Sequence, residues 1–303
     1  MLGETLRDDV QYVTVCQRPA GLGLMPTAPF FLLATRTVVL SAGGDGHVPL
    51  PLLARVLPRL LATDDVEAHD ATLVPISNST VHNATDAQLV AAVRIPAFGT
   101  AARSLAFYGS ARDGVRARAL DTLKRGVSDF ISSKLPNNPS VWLPALVSST
   151  LALAPRGSGV ASFRFYEALQ VGVPPVYVFD NRPWLPYAHT ADRIGVGARA
   201  PPVGDASALP PRNANVTSID WAALAEVVEV GTLATWAQGA LTTIARGNGS
   251  RWRLMRAEAG RVRASHFTYD GVMRQIHRFF ADPWDAELYC VAATEESARL
   301  SRR

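Results

Sequence analysis

Residues 151 to 187 read LALAPRGSGVASFRFYEALQVGVPPVYVFDNRPWLPY. An apolar run from Leu151 to Ala154 enters a Pro-Arg-Gly-Ser-Gly loop, a helical pattern opens near Ser162, Gly172 breaks it, and a second apolar run follows from Val176 to Phe179. This is a strand, a helix and a strand at crossover length, so the two strands are expected to lie parallel in an α/β sheet.

The turn between the first strand and the helix carries the chemistry. Gly157 and Gly159 allow a ligand to approach the backbone, and the unbonded N–H groups at a helix start favour phosphate oxygens. Arg156 would add a forked cation beside that anion. Arg164 and Glu167, three residues apart, share one helix face, while Phe165, Tyr166 and Leu169 form a stripe to bury. A carboxylate one turn into such a helix can accept from both ribose hydroxyls, and a nucleotide diphosphate is the ligand that matches. Each piece alone has a blander reading: a Pro-Arg-Gly turn is common, and Arg164 with Glu167 could be a surface pair.

Taken together and in order, PRGSGVASFRFYEALQVGVPPVYVFDNRPWLPY resembles the signature of the exostosin family of glycosyltransferases. Arg103 to Ser110 (RSLAFYGS), followed by a helical pattern from Arg116 to Arg125, is similar to that family's Arg, apolar strand and Phe-x-Gly block, and Ile219-Asp220-Trp221 to its short Asp-Trp element. The resemblance covers about residues 90 to 230. It implies an α/β architecture of the GT-B type, two Rossmann-like domains with a cleft between them. It also implies inverting transfer of a sugar from a nucleotide diphosphate donor, usually a UDP-sugar, to a glycan or glycoprotein acceptor. Family members generally use no metal, since Arg side chains and helix N-termini take the phosphate charge. The six His and two Cys here show no ligand-like spacing, and no Asp-x-Asp occurs between Leu151 and Tyr187, so neither metal nor cofactor is expected.

On this resemblance the donor is bound by Gly109, Arg112, Arg156, Gly157, Ser162, Phe163, Arg164 and Glu167. Arg164 would stabilise the leaving diphosphate and Glu167 would hold the ribose. An inverting transferase also needs a base for the acceptor hydroxyl. The Gly-rich stretch Ser41-Ala-Gly-Gly-Asp-Gly-His follows a β-rich run from Thr37 to Leu40, and its Asp45 and His47 are the two groups able to move a proton. A solvent-exposed turn is the alternative, because Gly-Asp-Gly is ordinary turn chemistry.

With 303 residues, 48% of them hydrophobic and 18% charged, the chain is long enough for two domains. Residues 1–138 are expected to form an acceptor-side Rossmann-like domain and residues 139–303 the nucleotide-sugar domain, with Pro136-Asn-Asn-Pro139 as the hinge. A net charge of +4 invites nucleic acid as a partner, but Arg and Lys form no long block interleaved with aromatics, so nucleic acid is not expected. Cys16 and Cys290 are too few and too far apart for a disulfide framework.

Sequons at Asn78, Asn83, Asn215 and Asn248 exceed chance and point to the lumen of the endoplasmic reticulum or Golgi. The family's N-terminal anchor and Gly-Arg-Asp-His-like segment are not found, so the first domain reads as incomplete, with the membrane anchor belonging to a longer form. That gap keeps alternatives open: a catalytically silent partner in a homo- or hetero-oligomer with a related transferase, or an enzyme that releases free sugar.

Helices are expected over Arg116 to Lys134, Trp221 to Val230 (with Asp220 as N-cap), Leu233 to Ala245, and one long stretch from about Trp252 to Phe280. Arg251, Arg253, Arg256, Arg261 and Arg263 on the last would form a solvated face.

Overall fold

The computed structural model describes residues 12–16, 37–42, 48–57, 103–111, 114–128, 130–134, 139–180, 183–186 and 219–281. Strands β1 (Tyr12–Cys16), β2 (Thr37–Ser41) and β3 (Val48–Pro49) pair in parallel in that order. A second, five-stranded sheet is built from β4 (Arg103–Tyr108), β5 (Phe130–Ser133), β6 (Ser149–Pro155), β7 (Pro175–Phe179) and β8 (Glu226–Glu229). All its pairs are parallel and its order is β5-β4-β6-β7-β8. The protein is thus α/β and compatible with a Rossmann-like fold.

Period-2 patterning assigns the faces of this sheet. Leu105 and Phe107 of β4, Leu151 and Leu153 of β6, and Val176 and Val178 of β7 point to one side, beneath helices α1 (Gly114–Gly126) and α4 (Leu233–Ala245). The opposite side presents Ala106, Ala152 and Ala154 to α2 (Pro139–Val147), α3 (Phe163–Val171) and α5 (Ser250–His266). Alanines there leave room for α3 to pack closely on the middle of the sheet. Every residue of β6 is buried, as a strand covered on both faces should be.

The expected crossover is present. β6 leads through the Gly loop into α3 with Ser162 at the N-cap, Gly172 ends the helix at a φ of 79°, and β7 pairs parallel to β6. The sheet crosses the expected division at 138/139: β4 and β5 precede it yet are hydrogen-bonded into the same sheet as β6. The last described helix, α6 (Tyr269–Ala281), sets Val272 and Ile276 against Leu40 of β2 and Leu50 just after β3.

Five expectations change. The helix from Arg116 stops at Gly126, and Phe130–Ser133 is a strand, because Phe130 is drawn into the core beside Leu105. Pro139, read as part of a hinge, opens α2, where its fixed φ suits the first helical turn. Asp220 does cap, its carboxylate accepting from the Ala222 N–H at 3.0 Å, but the helix is one 3-10 turn (Trp221–Ala223) before β8. The long C-terminal helix breaks after His266, since Phe267 is fully buried and the Thr268 hydroxyl accepts from the Gly271 N–H to start α6. The arginine face is also less wet than expected, with Arg256 and Arg263 buried.

Candidate functional site

From β4 the chain crosses to β5 on one side and then returns past β4 to β6 on the other. The crossovers diverge there and leave a crevice at the carboxyl ends of β4 and β6, where ligands of open α/β sheets bind. Tyr108-Gly109-Ser110 closes β4 and Pro155-Arg156-Gly157 closes β6, so the two motifs meet although more than 40 residues separate them.

Arg164 and Glu167 lie against this crevice on α3. Arg164 Nη1 stands 2.9 Å from Glu167 Oε2, with both side chains largely buried. The contact is one of charge without hydrogen-bond alignment, for Nη1 has no hydrogen-bond partner among the described residues. Arg164 Nε donates to the Tyr108 carbonyl at 3.2 Å, and its guanidinium lies 4.0 Å from the centre of the Trp142 ring, a cation–π contact. Backbone, aromatic face and carboxylate thus fix the guanidinium in one orientation. Burial lowers the pKa of Arg164 and raises that of Glu167, while the charges of Arg164 and Arg55 pull Glu167 back down.

Arg156 is turned elsewhere. Its Nε and Nη2 donate to Asp180 Oδ1 and Oδ2 at 2.6 and 3.0 Å, and Nη1 donates to the Gly159 carbonyl at 3.0 Å. Asp180, at the end of β7, also accepts from Arg118 at 3.1 Å. The Arg156 hydrogen bond holds the Asp180 carboxyl below its ordinary pKa. Instead of facing an anion with its fork, Arg156 ties the Gly loop to the next strand.

A cation does approach the loop, from a residue the sequence reading passed over. Arg116, in the first turn of α1, packs on Gly157, and a Cβ at Gly157 would sit 3.1 Å from its Nη2. A side chain here would press the guanidinium aside by a few tenths of an ångström. Arg116 also donates to the Ser110 carbonyl at 3.5 Å, so it bridges the ends of β4 and β6. Its signal in the sequence was spacing alone, the second turn-length step after Gly109, which is equally that of an exposed helical arginine.

Ser162 is buried at the N-cap of α3 without capping it, and its hydroxyl has no partner among the described residues. Phe163 is exposed at the helix start, beside the loop. Tyr177 donates its hydroxyl to the Val160 carbonyl and accepts from the Trp184 N–H at 3.2 Å, pinning the loop from beneath; burial raises its pKa. Structure therefore brings Gly109, Gly157, Ser162, Phe163, Arg164 and Glu167 to the ends of β4 and β6, with the Arg156 side chain turned to Asp180. Asp45, His47 and Arg112 lie outside the described residues, as do Cys290 and the sequons other than Asn248. Among the described residues no three His, Cys, Asp or Glu side chains converge on a metal-sized point, and no helix is long and apolar enough to cross a membrane. No protein-family model matches the chain, and no curated protein matches it.

Proposed function

We propose that this chain is an inverting glycosyltransferase of the exostosin-like, GT-B kind, moving a sugar from a nucleotide diphosphate donor, a UDP-sugar, to a glycan or glycoprotein acceptor. The observation that carries the reading is the placement of the buried Arg164–Glu167 pair at the crevice between β4 and β6, with Arg116 packed on Gly157. A cationic rim at a helix N-terminus suits a diphosphate, and a carboxylate behind it suits the ribose.

In this reading the acceptor oxygen attacks the anomeric carbon from the side opposite the diphosphate. The carbon–oxygen bond to the donor phosphate breaks, and its electron pair stays on the diphosphate. Arg164 and Arg116 stabilise that charge as it develops, already oriented by Tyr108, Trp142 and Gly157. The acceptor proton goes to Asp45 or His47. No metal is invoked, and the protein acts in the lumen of the secretory pathway, alone or with a related subunit.

The test is calorimetry with a panel of nucleotide sugars on the folded protein, with Arg116→Ala as control. A UDP-sugar should bind the wild type and bind the variant at least tenfold more weakly. Failure of every nucleotide sugar to bind would discard the donor site and favour a silent partner subunit.

A further inference from the structure

Resting on the reading above, a further residue of the same site comes from outside the five-stranded sheet. The segment 51–57, which follows β3, crosses α3. Leu52 packs with Phe165 and Leu169 on one flank of the helix, and Leu57 packs with Tyr108, Trp142 and Ala168 on the other. Arg55 lies between these anchors. They belong to the surroundings of Arg164, since Trp142 and Tyr108 are the groups that orient it.

Buried polar side chains hold the segment in register. Gln170, 1% exposed, accepts from the Leu57 N–H through Oε1 at 2.7 Å and donates through Nε2 to the Arg55 carbonyl at 3.1 Å and the Phe267 carbonyl at 2.9 Å. All the hydrogen-bonding groups of that amide but one acceptor position are thereby used, which sets its orientation without ambiguity. Arg263, also buried, donates to the Gln170 and Leu57 carbonyls. The backbone at Arg55 and at Leu57 is therefore bonded to α3 and α5, an unusual investment of buried polar groups for a connecting segment.

The Arg55 side chain is half-buried, and its Nε is buried with no hydrogen-bond partner among the described residues. Its charge acts on both Arg164 and Glu167. Two guanidiniums, Arg164 and Arg55, thus act on the one carboxylate of Glu167, and Arg116 acts on Arg164. Two partly buried guanidiniums against one carboxylate leave positive charge that favours an anion.

We propose that Arg55 is a ligand-binding residue of the crevice, contacting the diphosphate of the nucleotide, and that Gln170 is the positioning residue that presents it. The first sheet then contributes a cation to the site that the second sheet builds.

The experiment is calorimetry of UDP, UMP and uridine against wild type, Arg55→Ala, Arg55→Lys, Gln170→Ala and the Arg55→Ala/Gln170→Ala double variant, each checked for a cooperative unfolding transition. The expected result is a tenfold or greater loss of UDP affinity in Arg55→Ala with uridine affinity unchanged, partial recovery in Arg55→Lys, and no further loss in the double variant. UDP affinity unchanged in both Arg55 variants would overturn the proposal while leaving the donor reading intact. Equal losses for UDP and uridine would overturn it too, since a merely structural arginine would act on both. If wild type binds none of the three, the donor reading itself fails.

Discussion

Asp180→Asn tests the clamp that holds the Gly loop. Asp180 receives two bonds from Arg156, at 2.6 and 3.0 Å, with only 19% and 17% of the two side chains exposed. Hydrogen bonds to charged groups contribute about 1.5–3 kcal/mol each. Asparagine keeps one acceptor but turns an amide N–H toward Arg156 in place of the second oxygen. Allowing for solvent at this partly exposed pair, the net loss should be on the order of 2 kcal/mol, with the more exposed Arg118 adding a few tenths at most.

The sign of the pH dependence follows from Arg156. Its hydrogen bond lowers the folded pKa of Asp180 below the unfolded value of about 3.8. The stability from this group is present above the unfolded value and is lost as pH falls through the folded one. Urea unfolding of wild type and Asp180→Asn should therefore differ by about 2 kcal/mol at pH 7, hold that difference to about pH 5, approach each other below the unfolded pKa and converge below the folded one. A difference under about 0.5 kcal/mol at pH 7, or one that persists unchanged in acid, would refute the clamp.

Glu167→Gln should show the opposite trend. Burial raises the Glu167 pKa, so its contribution is fullest below the unfolded value and is lost as pH rises through the folded one. The stability of wild type relative to Glu167→Gln should fall as pH rises, measured by urea midpoints from acid to neutral; a constant difference would place the carboxylate in water. Gly271→Ala should cost about 2–3 kcal/mol, because a Cβ there would lie 2.7 Å from the Ala264 oxygen and 2.8 Å from the His266 nitrogen, both backbone. Thermal unfolding near the wild-type midpoint would contradict that close junction of α5 and α6.

The crossover from β6 to β7 was legible because every local signal agrees: two apolar runs, a Gly-rich turn, a helical stripe and a terminating Gly172. Strand β5 was not, since Val127 and Phe130 continue the apolar spacing of α1 and only pairing with β4 makes Phe130–Ser133 extended. Helix α2 was hidden by its two prolines, which read as breakers until the position of Pro139 in the first turn is known. At the site, the motif showed which residues could act but not where their side chains point. Arg156 is directed by Asp180, 24 residues on, Arg116 is brought to the Gly loop from α1, and the segment carrying Arg55 is bonded to α3 across 115 positions. Local pattern carries no record of those distances.

The bonds that seat residues 51–57 also bear on synthesis. Arg263 and Leu57 are 206 positions apart, and the helix that covers Leu40 and Leu50 is α6, the last described element. A ribosome delivers the apolar residues of the first sheet early and their covering helix last. At about 5–20 residues per second, more than ten seconds pass between the two. During that interval Leu40 and Leu50 lack their native cover, so the nascent chain presents an apolar surface until α6 emerges.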